Sequence, residues 1–491
     1  MKRKVKRVFL KYFYDEKLAQ ASYMVGCQAT GEALVIDPSR DVTMYEETAL
    51  KEGFRIVAAT ETHIHADFVS GARELAVGAG AKLYLSGEGD AIWRQQYTEG
   101  ISFQWVHDGD AFKIGNLTFD VMHTPGHTPE SLSFLVHDGG GGIHREAMGI
   151  FSGDFVFVGD IGRPDLLEKA VGVSGSSEQG AKQMYESIQR FKKLPDHLQV
   201  WPGHGAGSAC GKALGAIPSS TVGYEKLFNW AMADLSESEF IQKLLEGQPE
   251  PPLYFAQMKK LNVEGPALIS DLPPIRLIDS AAVKTAIAEG RQIVDTRSAA
   301  AFRAGHLPGT INIPYNKSFI TWAGWLLSYE QPIYLLAESS QQSSIVRDLR
   351  SIGFDNVAGR APLDVVNVST MDGEALETYQ EITPQEAQSL LKQGEVAWID
   401  VRNDAEWAEG YIEGAKHLML GRIKGRLSEL PKDKDHPIVV QCQSGARSSI
   451  AASVLQREGY KNVINMAGGF GRWANEGLPV TQSERVGVHN A

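Results

Sequence analysis

The chain has 491 residues, too many for one hydrophobic core and typical of about three domains. Hydrophobic residues make up 43% of it and charged residues 22%, as in ordinary globular proteins. A formal net charge of −12 argues against nucleic acid or an anionic membrane surface as the main partner, and no stretch is long and apolar enough to span a bilayer.

The N-terminal segment and the cysteines bear on the cellular location. Residues 1–7 are rich in Lys and Arg, but no apolar segment of signal-peptide type follows them, so they predict a basic first strand. The three cysteines, Cys27, Cys210 and Cys442, are odd in number and far apart, which excludes a disulfide framework and is typical of a reducing compartment. We therefore expect a cytoplasmic protein, and a homo-oligomer is compatible with this expectation.

Short apolar runs separated by glycine turns fill the first half of the chain, as expected for buried strands. Prolines at 249–252 and 273–274 interrupt the pattern, so we predict a first domain over residues 1–250. The predicted strands include 33–36, 56–59, 82–85 and 149–152, and helices are predicted at 70–77 and 181–191.

Four polar clusters in this half follow predicted strands, where side chains from different strand ends can converge. Imidazole and carboxylate groups are what a borderline divalent metal accepts. Scattered surface histidines beside glycine turns would explain any one cluster, but four clusters in this order favour a metal site. The clusters supply His63, His65 and Asp67 from Thr62–Phe68, then His127, then Asp154, and then His204.

These motifs resemble the metallo-β-lactamase superfamily, whose fold is a four-layer αβ/βα sandwich. Within it the chain resembles the persulfide dioxygenases, with glyoxalase II as a hydrolytic relative. The likeness covers about residues 7–245, and its most specific signature is Glu61–Gly71. It implies that His63, His127 and Asp154 bind one Fe(II) per chain, with zinc as the other metal that purified protein can hold. It also implies that His65 is a neighbour of the metal, although it would be a ligand in a zinc hydrolase, and that Asp67 and His204 orient ligands or bound water.

Phe68 is an informative departure from the binuclear hydrolases of this fold, which have a metal-binding histidine there. Two histidines and one aspartate with open positions match the ligand set of non-haem Fe(II) oxygenases instead. The resemblance thus implies that O2 oxidises a low-molecular-weight thiol persulfide to sulfite and free thiol. A glyoxalase II-like zinc thioester hydrolase is the alternative enzyme, disfavoured by Phe68. A non-catalytic sulfide sensor or sulfur carrier is a third alternative, disfavoured by the complete ligand set.

Three positions are candidates for contact with the substrate, and the sequence leaves alternative roles for two of them. Arg163, in an element that resembles the family's Gly-Arg-x-Asp, either holds a substrate carboxylate or forms only a structural ion pair with Asp165. Phe68 is expected to help shape the sulfur pocket. Cys210 lies six residues after His204 and either carries sulfur to the metal or is simply a small packed residue.

The second half of the chain contains an internal repeat. Ile293–Arg297 matches Trp398–Arg402 at an offset of 105 residues, and Pro332–Leu335 matches Pro437–Val440 at the same offset. Each copy alternates strand and helix, which predicts two small parallel-sheet α/β domains, at residues 265–368 and 378–485.

In the second copy, Cys442 follows a predicted strand and precedes a helix. A cysteine on a loop of inward-facing N–H groups, with an arginine nearby, should have a lowered pKa. The loop resembles that of rhodanese sulfurtransferases, which implies sulfur transfer with thiosulfate, sulfite or a persulfide; a buried structural thiol is the alternative. Ala337 stands opposite Cys442 in the first copy, which is therefore predicted to be an inactive spacer or docking module. The predicted loop comprises Cys442, Gln443, Ser444, Gly445, Ala446, Arg447 and Ser448.

Overall fold

The computed structural model describes residues 8–139, 146–171, 175–371 and 375–482. The basic strand predicted at residues 1–7 lies outside the described residues. The chain divides into two compact units, the first formed by Met1–Leu272 with Leu349–Gly353, and the second by Pro273–Asp348 with Phe354–Ala491. Within the described ranges, no helix is both long enough and apolar enough to cross a membrane.

The first unit is built on two six-stranded sheets. In one sheet the strands follow chain order, β1 to β6; in the other they run in the order β12-β11-β10-β9-β8-β7. The predicted strands at 33–36, 56–59, 82–85 and 149–152 lie within β3, β4, β5 and β10. The twelve strands are β1 (Val8–Asp15), β2 (Gln20–Cys27), β3 (Glu32–Ile36), β4 (Arg55–Thr60), β5 (Lys82–Ser86), β6 (Phe103–Val106), β7 (Ala111–Ile114), β8 (Leu117–His123), β9 (Leu132–Asp138), β10 (Gly149–Gly153), β11 (Gln199–Pro202) and β12 (Ser220–Thr221).

A shared apolar core joins the two sheets face to face, with Leu34 and Ile36 from one sheet and Phe134 and Phe151 from the other. Helices cover the outer faces: α1 and α2 pack on the first sheet, and α4 and α6 on the second. This four-layer arrangement confirms the predicted αβ/βα sandwich. The helices of this unit are α1 (Thr43–Glu52), α2 (Ala72–Gly78), α3 (Leu166–Val171), α4 (Ser176–Phe191), α5 (Val222–Phe228), α6 (Glu237–Leu245) and α7 (Phe255–Glu264).

Helix α4 shows how the sequence produces these layers. Its buried residues include Ala181, Met184, Ile188 and Phe191, which recur at the three- and four-residue spacing of one helix face. That face packs in the same apolar cluster as Ile150 of the second sheet. The helix predicted at 181–191 therefore exists, and it begins five residues earlier than predicted, at Ser176.

The second unit contains two five-stranded sheets in which every strand pair is parallel. Their strand orders, β13-β17-β16-β14-β15 and β18-β22-β21-β19-β20, are the same when the strands of each copy are numbered from its start. The two copies thus share one topology, as the repeat predicts. The strands are β13 (Arg276–Leu277), β14 (Gln292–Asp295), β15 (Ile311–Asn312), β16 (Ile333–Leu336), β17 (Val357–Ala361), β18 (Gln380–Ile382), β19 (Ala397–Asp400), β20 (Lys416–His417), β21 (Ile438–Gln441) and β22 (Val463–Met466).

One ion pair recurs at equivalent places in the two copies. Arg297 pairs with Asp295 and donates to the carbonyl of Gly305; Arg402 pairs with Asp400 and donates to the carbonyl of Gly410. Each guanidinium ties the end of a central strand to the loop after the next helix. The remaining helices are α8 (Ser280–Ala288), α9 (Ala299–Ala304), α10 (Phe319–Leu326), α11 (Gln342–Ser351), α12 (Asp364–Met371), α13 (Pro384–Gln393), α14 (Asp404–Glu409), α15 (Ala446–Arg457) and α16 (Gly469–Asn475).

Candidate metal centre and sulfur-transfer loop

Four strand ends of the first unit meet at one point. His63 follows β4, His127 follows β8, Asp154 directly follows β10, and His204 follows β11. Since β4 belongs to one sheet and the other three strands to the second, the site lies where the two sheets come together. All four side chains are buried.

The predicted ligands His63, His127 and Asp154 form a compact group of donor atoms. Oδ2 of Asp154 is 3.7 Å from Nε2 of His63 and 3.5 Å from Nε2 of His127. Within the described part of the chain, His63 Nε2 and Asp154 Oδ2 have no hydrogen-bond partner although both are buried. Burying such atoms unpaired is costly, and a bound cation would satisfy them. The three donors therefore fit a divalent metal.

The other ring nitrogens of the two histidines are already engaged. His127 Nδ1 donates to the carbonyl oxygen of Arg163 at 2.8 Å, and His63 Nδ1 lies 3.0 Å from Oγ1 of Thr62. The Thr62 hydroxyl in turn donates to Asp37 Oδ2 at 2.9 Å. Such partners fix the orientation of metal-binding imidazoles. Burial lowers the pKa of both histidines, with the positive charge of His65 contributing for His63, so neutral rings can offer their Nε2 lone pairs to a metal.

His204 is held at both ring nitrogens, by Asp154 Oδ1 and by Asp67 Oδ2, each at 2.7 Å. Burial alone would lower its pKa, but the two carboxylates raise the pKa well above its usual value. For Asp154 burial acts in the opposite direction and would raise the pKa, but the nearby His204 and His63 hold it well below its usual range. Since both ring nitrogens face carboxylate oxygens, His204 can donate to both as an imidazolium, and its orienting role stays a prediction.

His65 lies beside the donor group but is directed elsewhere. Its Nε2 is 3.2 Å from Asp37 Oδ1, and its ring centroid is 4.3 Å from that of Phe68. Burial opposes protonation, but Asp37 outweighs it and raises the pKa of His65 to about 9. His65 is therefore paired as a cation with Asp37, and its assignment as a neighbour of the metal rather than a ligand stays a prediction.

Cys210 lies beside Asp67 and His204, and Phe68 packs against His65. One ligand atom from each of Asp67, His204 and Cys210 lies within 4.8 Å of the others, and all three residues are buried. Burial, together with Asp154 and Asp67, raises the pKa of Cys210 well above its usual value, so the thiol is protonated. Phe68 is 1% exposed, and its ring centroid lies 4.3 Å from that of His65. Cys210 is thus brought to the centre, and Phe68 lies beside the neighbouring His65; the predicted contact of both residues with substrate stays a prediction.

Arg163 and Asp165 form the ion pair that was one of the two predicted alternatives. Arg163 Nε and one terminal nitrogen each donate to an Asp165 oxygen at 2.7 Å, and the guanidinium also donates to the carbonyl of Ala209. The guanidinium is 0% exposed, and Lys169 adds a second cation to Asp165. Contact with a substrate carboxylate stays a prediction for Arg163.

Three residues that the sequence analysis did not identify support the segment Glu61–Ser70, here called the metal loop. Asp37 accepts the Thr62 N–H at 2.7 Å, Glu130 accepts the Ile64 N–H at 2.9 Å, and Asn262 bonds the loop further along. Asp37 follows buried β3 and has a φ of 51°, unusual for a residue other than glycine. An aspartate directly after an apolar strand was the one available signal, because the partners of Glu130 and Asn262 are distant in sequence.

The predicted sulfur-transfer loop lies between β21 and α15. Cys442 is 0% exposed, its Sγ accepts the N–H of Gly445 at 3.1 Å, and the Ser448 hydroxyl lies 3.5 Å away. Gly445 has a φ of 97°, which places the loop's backbone in a conformation that favours glycine. N–H and O–H donors around the sulfur can stabilise negative charge. The predicted members from Gln443 to Ser448 form this turn and the start of α15.

Arg447 is directed toward Glu406, with two hydrogen bonds of 2.6 Å. The pair places a cation close to the Cys442 loop and fixes its position. At the equivalent place of the first copy, Ala337 follows β16 and is buried, and its carbonyl accepts from Gln342 at 3.2 Å. The first copy therefore has the strand and the helix but no nucleophilic side chain at this position.

The fold and the ligand group define a metal-dependent sandwich domain joined to a duplicated α/β domain. A family model described as the metallo-beta-lactamase superfamily matches residues 16–204, and one described as the rhodanese-like domain matches residues 279–359 and 383–476. The chain belongs to the metallo-β-lactamase superfamily and carries two rhodanese-like domains.

Individual relatives agree with this assignment. A solved metallo-beta-lactamase from Staphylococcus aureus subsp. aureus COL is 48% identical, covers 72% of this chain and 99% of its own, and gives a TM-score of 0.65. A sulfurtransferase of Allochromatium vinosum is 42% identical over 98 residues, 20% of this chain and 90% of that protein. The mitochondrial persulfide dioxygenase of Bos taurus is 27% identical over 200 residues, 40% of this chain and 68% of that protein. A beta-lactamase hydrolase-like protein of Agrobacterium fabrum is matched over 54% of its length.

Proposed function

We propose that the chain is an iron-dependent persulfide dioxygenase joined to a sulfurtransferase in the metabolism of sulfide. The observation that carries the proposal is the group of His63, His127 and Asp154, whose ligand atoms lie within 4.8 Å of one another. Two of these atoms, His63 Nε2 and Asp154 Oδ2, are buried without a hydrogen-bond partner among the described residues. Two imidazoles and one carboxylate are the ligand set of non-haem Fe(II) oxygenases. The likeness to the bovine persulfide dioxygenase supports the choice of substrate.

The reaction would be RSSH + O2 + H2O → RSH + H2SO3, in which the outer sulfur is oxidised and O2 is reduced. When bound, iron would supply the one-electron chemistry that lets O2 react with the persulfide sulfur. His63 and His127 would ligate through Nε2, held in place by Thr62 and the Arg163 carbonyl. His204 would keep Asp154 oriented, with Oδ2 turned to the metal.

One iron per chain is favoured over two zinc ions. In this chain Phe68 stands at the position where the binuclear hydrolases of this fold have a histidine that binds the second metal. His204, which would have to serve that metal, is protonated and hydrogen-bonded at both nitrogens. A second ion would have to displace this proton and both hydrogen bonds.

Cys442 would perform the sulfur transfer. Its thiolate attacks the outer sulfur of thiosulfate, the S–S bond breaks, and sulfite leaves: Cys–S⁻ + S–SO3²⁻ → Cys–S–S⁻ + SO3²⁻. An acceptor thiolate then takes the outer sulfur and restores the Cys442 thiolate. The forward reaction would supply persulfide for oxidation, whereas the reverse would consume sulfite. Three unpaired cysteines agree with a cytoplasmic location for this chemistry.

Anaerobically purified protein tests the proposal. We expect about one iron per chain and oxygen uptake with a low-molecular-weight persulfide. Two tightly bound zinc ions per chain, or hydrolysis of a thioester faster than oxidation of a persulfide, would instead favour a glyoxalase II-like hydrolase and would overturn the dioxygenase assignment.

A further inference from the structure

Asn262 on α7 is hydrogen-bonded to three backbone groups of the metal loop, Glu61–Ser70. Its Nδ2 donates to the carbonyls of His65 and Phe68, each at 2.8 Å, and its Oδ1 accepts the Ser70 N–H at 2.9 Å. The side chain is 2% exposed, so these bonds are shielded from water. Residue 262 lies beyond the predicted end of the first domain at residue 250, yet α7 belongs to the same compact unit as the metal loop.

The amide of asparagine matches these partners in a way that other side chains do not. Two carbonyls require two N–H donors and one N–H requires an acceptor, and a carboxamide of this length supplies all three. Aspartate would place an oxygen against the two carbonyls, and alanine would leave three buried backbone groups unpaired, each at a cost. The three bonds fix the backbone on both sides of Asp67, which lies between His65 and Phe68 in the chain. The Asp67 carboxylate in turn accepts from His204 at 2.7 Å.

Helix α7 is held next to the metal loop by contacts with the segment around Trp93 and with Ile64. The Gln96 N–H donates to the carbonyl of Val263 at 2.7 Å. Val263 packs in an apolar cluster with Trp93 and with Ile64, the residue after His63. Lys259, one turn earlier on α7, lies 3.3 Å from the centre of the Trp93 ring. The helix therefore presents Asn262 to the loop from a fixed position.

We propose that Asn262 is a positioning residue of the metal centre. Asp37 and Glu130 hold the loop at Thr62 and Ile64, and Asn262 holds its second half, which carries Asp67. Asn262 thereby keeps His63 and the Asp67–His204–Asp154 chain aligned on one point. This inference rests on the proposed metal-dependent function.

The chain offers a matched control in Asn229, another buried asparagine of the same unit. Its amide donates to the Asp160 carbonyl and to Glu225 at 2.8 Å, and its Oδ1 accepts the Ala231 N–H at 3.1 Å. Asn229→Ala thus removes as many hydrogen bonds as Asn262→Ala, but none of them to the metal loop. Asn262→Ser provides a milder second variant in case the alanine variant does not fold.

The experiment compares iron-loaded full-length protein carrying each substitution. We measure the rate at which a chelator removes iron, the thermal midpoint of the metal-free protein, and the absorption spectrum after replacement of iron by Co(II). Asn262→Ala should lose iron about tenfold faster than Asn229→Ala and should change the Co(II) spectrum, as expected when an outer support of a metal site is removed. The two metal-free midpoints should fall by similar amounts.

Equal iron loss and unchanged Co(II) spectra in the Asn262 and Asn229 variants would overturn the inference. A wild-type chain that takes up no iron would contradict the proposed function instead, so the two failures are distinguishable. If only the Asn262→Ser variant folds, its iron loss is compared with that of Asn229→Ser by the same criterion.

Discussion

Asp154 and His204 are joined by a 2.7 Å hydrogen bond between Oδ1 and Nδ1. One carboxylate oxygen is thus committed to the imidazole, and the other lies between the Nε2 atoms of His63 and His127. Because Asp67 holds the second nitrogen of His204, the ring cannot turn away without breaking two charged hydrogen bonds. The anionic ligand of the proposed metal is therefore oriented before the metal binds.

Replacement of Asp154 by alanine should abolish both metal binding and oxygen uptake. The substitution removes the only anionic donor of the group and leaves the His204 imidazolium paired with Asp67 alone. We expect oxygen uptake with persulfide to fall about 100-fold or more, since losing an outer support alone typically costs 10–100-fold. Metal analysis and an oxygen electrode measure the two effects.

Asp160→Asn is the matched control for this substitution. Asp160 is also a buried aspartate of the first unit, but it accepts hydrogen bonds from Lys212, Ala213 and Trp230 rather than joining the ligand group. The control should retain iron. Full iron occupancy in Asp154→Ala would contradict the assignment of Asp154 as a ligand.

The sequence allowed prediction of the fold class and of which residues meet, because motifs that directly follow buried strands are placed by the sheets themselves. His63 and Asp154 are examples: each is fixed within a few residues of a strand end. The role of Asn262 could not be predicted, since its partners lie nearly two hundred residues away and depend on how α7 packs. Arg163 illustrates an intermediate case, in which the sequence left two roles open and only the packing places the guanidinium on Asp165.

The stability of the metal-free protein should depend on pH through Glu130. Burial raises the pKa of its carboxyl from its usual value of 4.5 to about 7, although the Ile64 N–H acts against this. Between these two values the native protein keeps a proton that the unfolded chain has lost, so stability falls as pH rises through this window. Above a pH of about 7 the loss is complete and constant.

Glu130→Gln should remove this dependence, because the amide cannot ionise and its oxygen can still accept the Ile64 N–H. The stability of the variant relative to wild type should grow by on the order of 1–3 kcal/mol between about pH 5 and pH 8. Urea unfolding of metal-free protein at both pH values measures it. The same difference at both values would show that Glu130 ionises normally.

Substitution of Arg457 tests whether contacts with the first rhodanese-like copy stabilise the second copy. It lies at the end of α15, the helix that follows Cys442, and its guanidinium donates to the carbonyls of Gly290, Arg291 and Gly309 in the first copy. Arg457→Met should destabilise the second unit by about 1–2 kcal/mol, because it removes charged hydrogen bonds to the partly buried carbonyls of Arg291 and Gly309 and to the exposed carbonyl of Gly290. Lys461→Met, which removes only an exposed pair with Asp435, should cost less than about 1 kcal/mol. Equal effects in a thermal melt would argue against a supporting role.

Cys442 should be the only sulfur-transfer nucleophile of the chain. The two copies provide the comparison: Cys442 accepts hydrogen bonds from Gly445 and Ser448, whereas Ala337 occupies the equivalent position of the first copy. Because serine is a far weaker nucleophile than a thiolate at neutral pH, Cys442→Ser should eliminate transfer from thiosulfate to a thiol acceptor. Oxidation of added persulfide should remain close to the wild-type rate, since the ligands of the proposed iron all belong to the first unit.

A second measurement on Cys442→Ser separates sulfur supply from oxidation. With thiosulfate and a thiol as the only sulfur source, oxygen uptake should vanish, because no persulfide forms; adding persulfide should restore it. Cys27→Ser is the control, since Cys27 lies on β2 and packs in the core between the sheets, and it should change neither reaction.

Cys210 is the other thiol near the proposed metal, and its raised pKa makes it a weak nucleophile. Substantial transfer that survives in Cys442→Ser and disappears in Cys442→Ser/Cys210→Ser would falsify the single-nucleophile model and assign the residual transfer to Cys210.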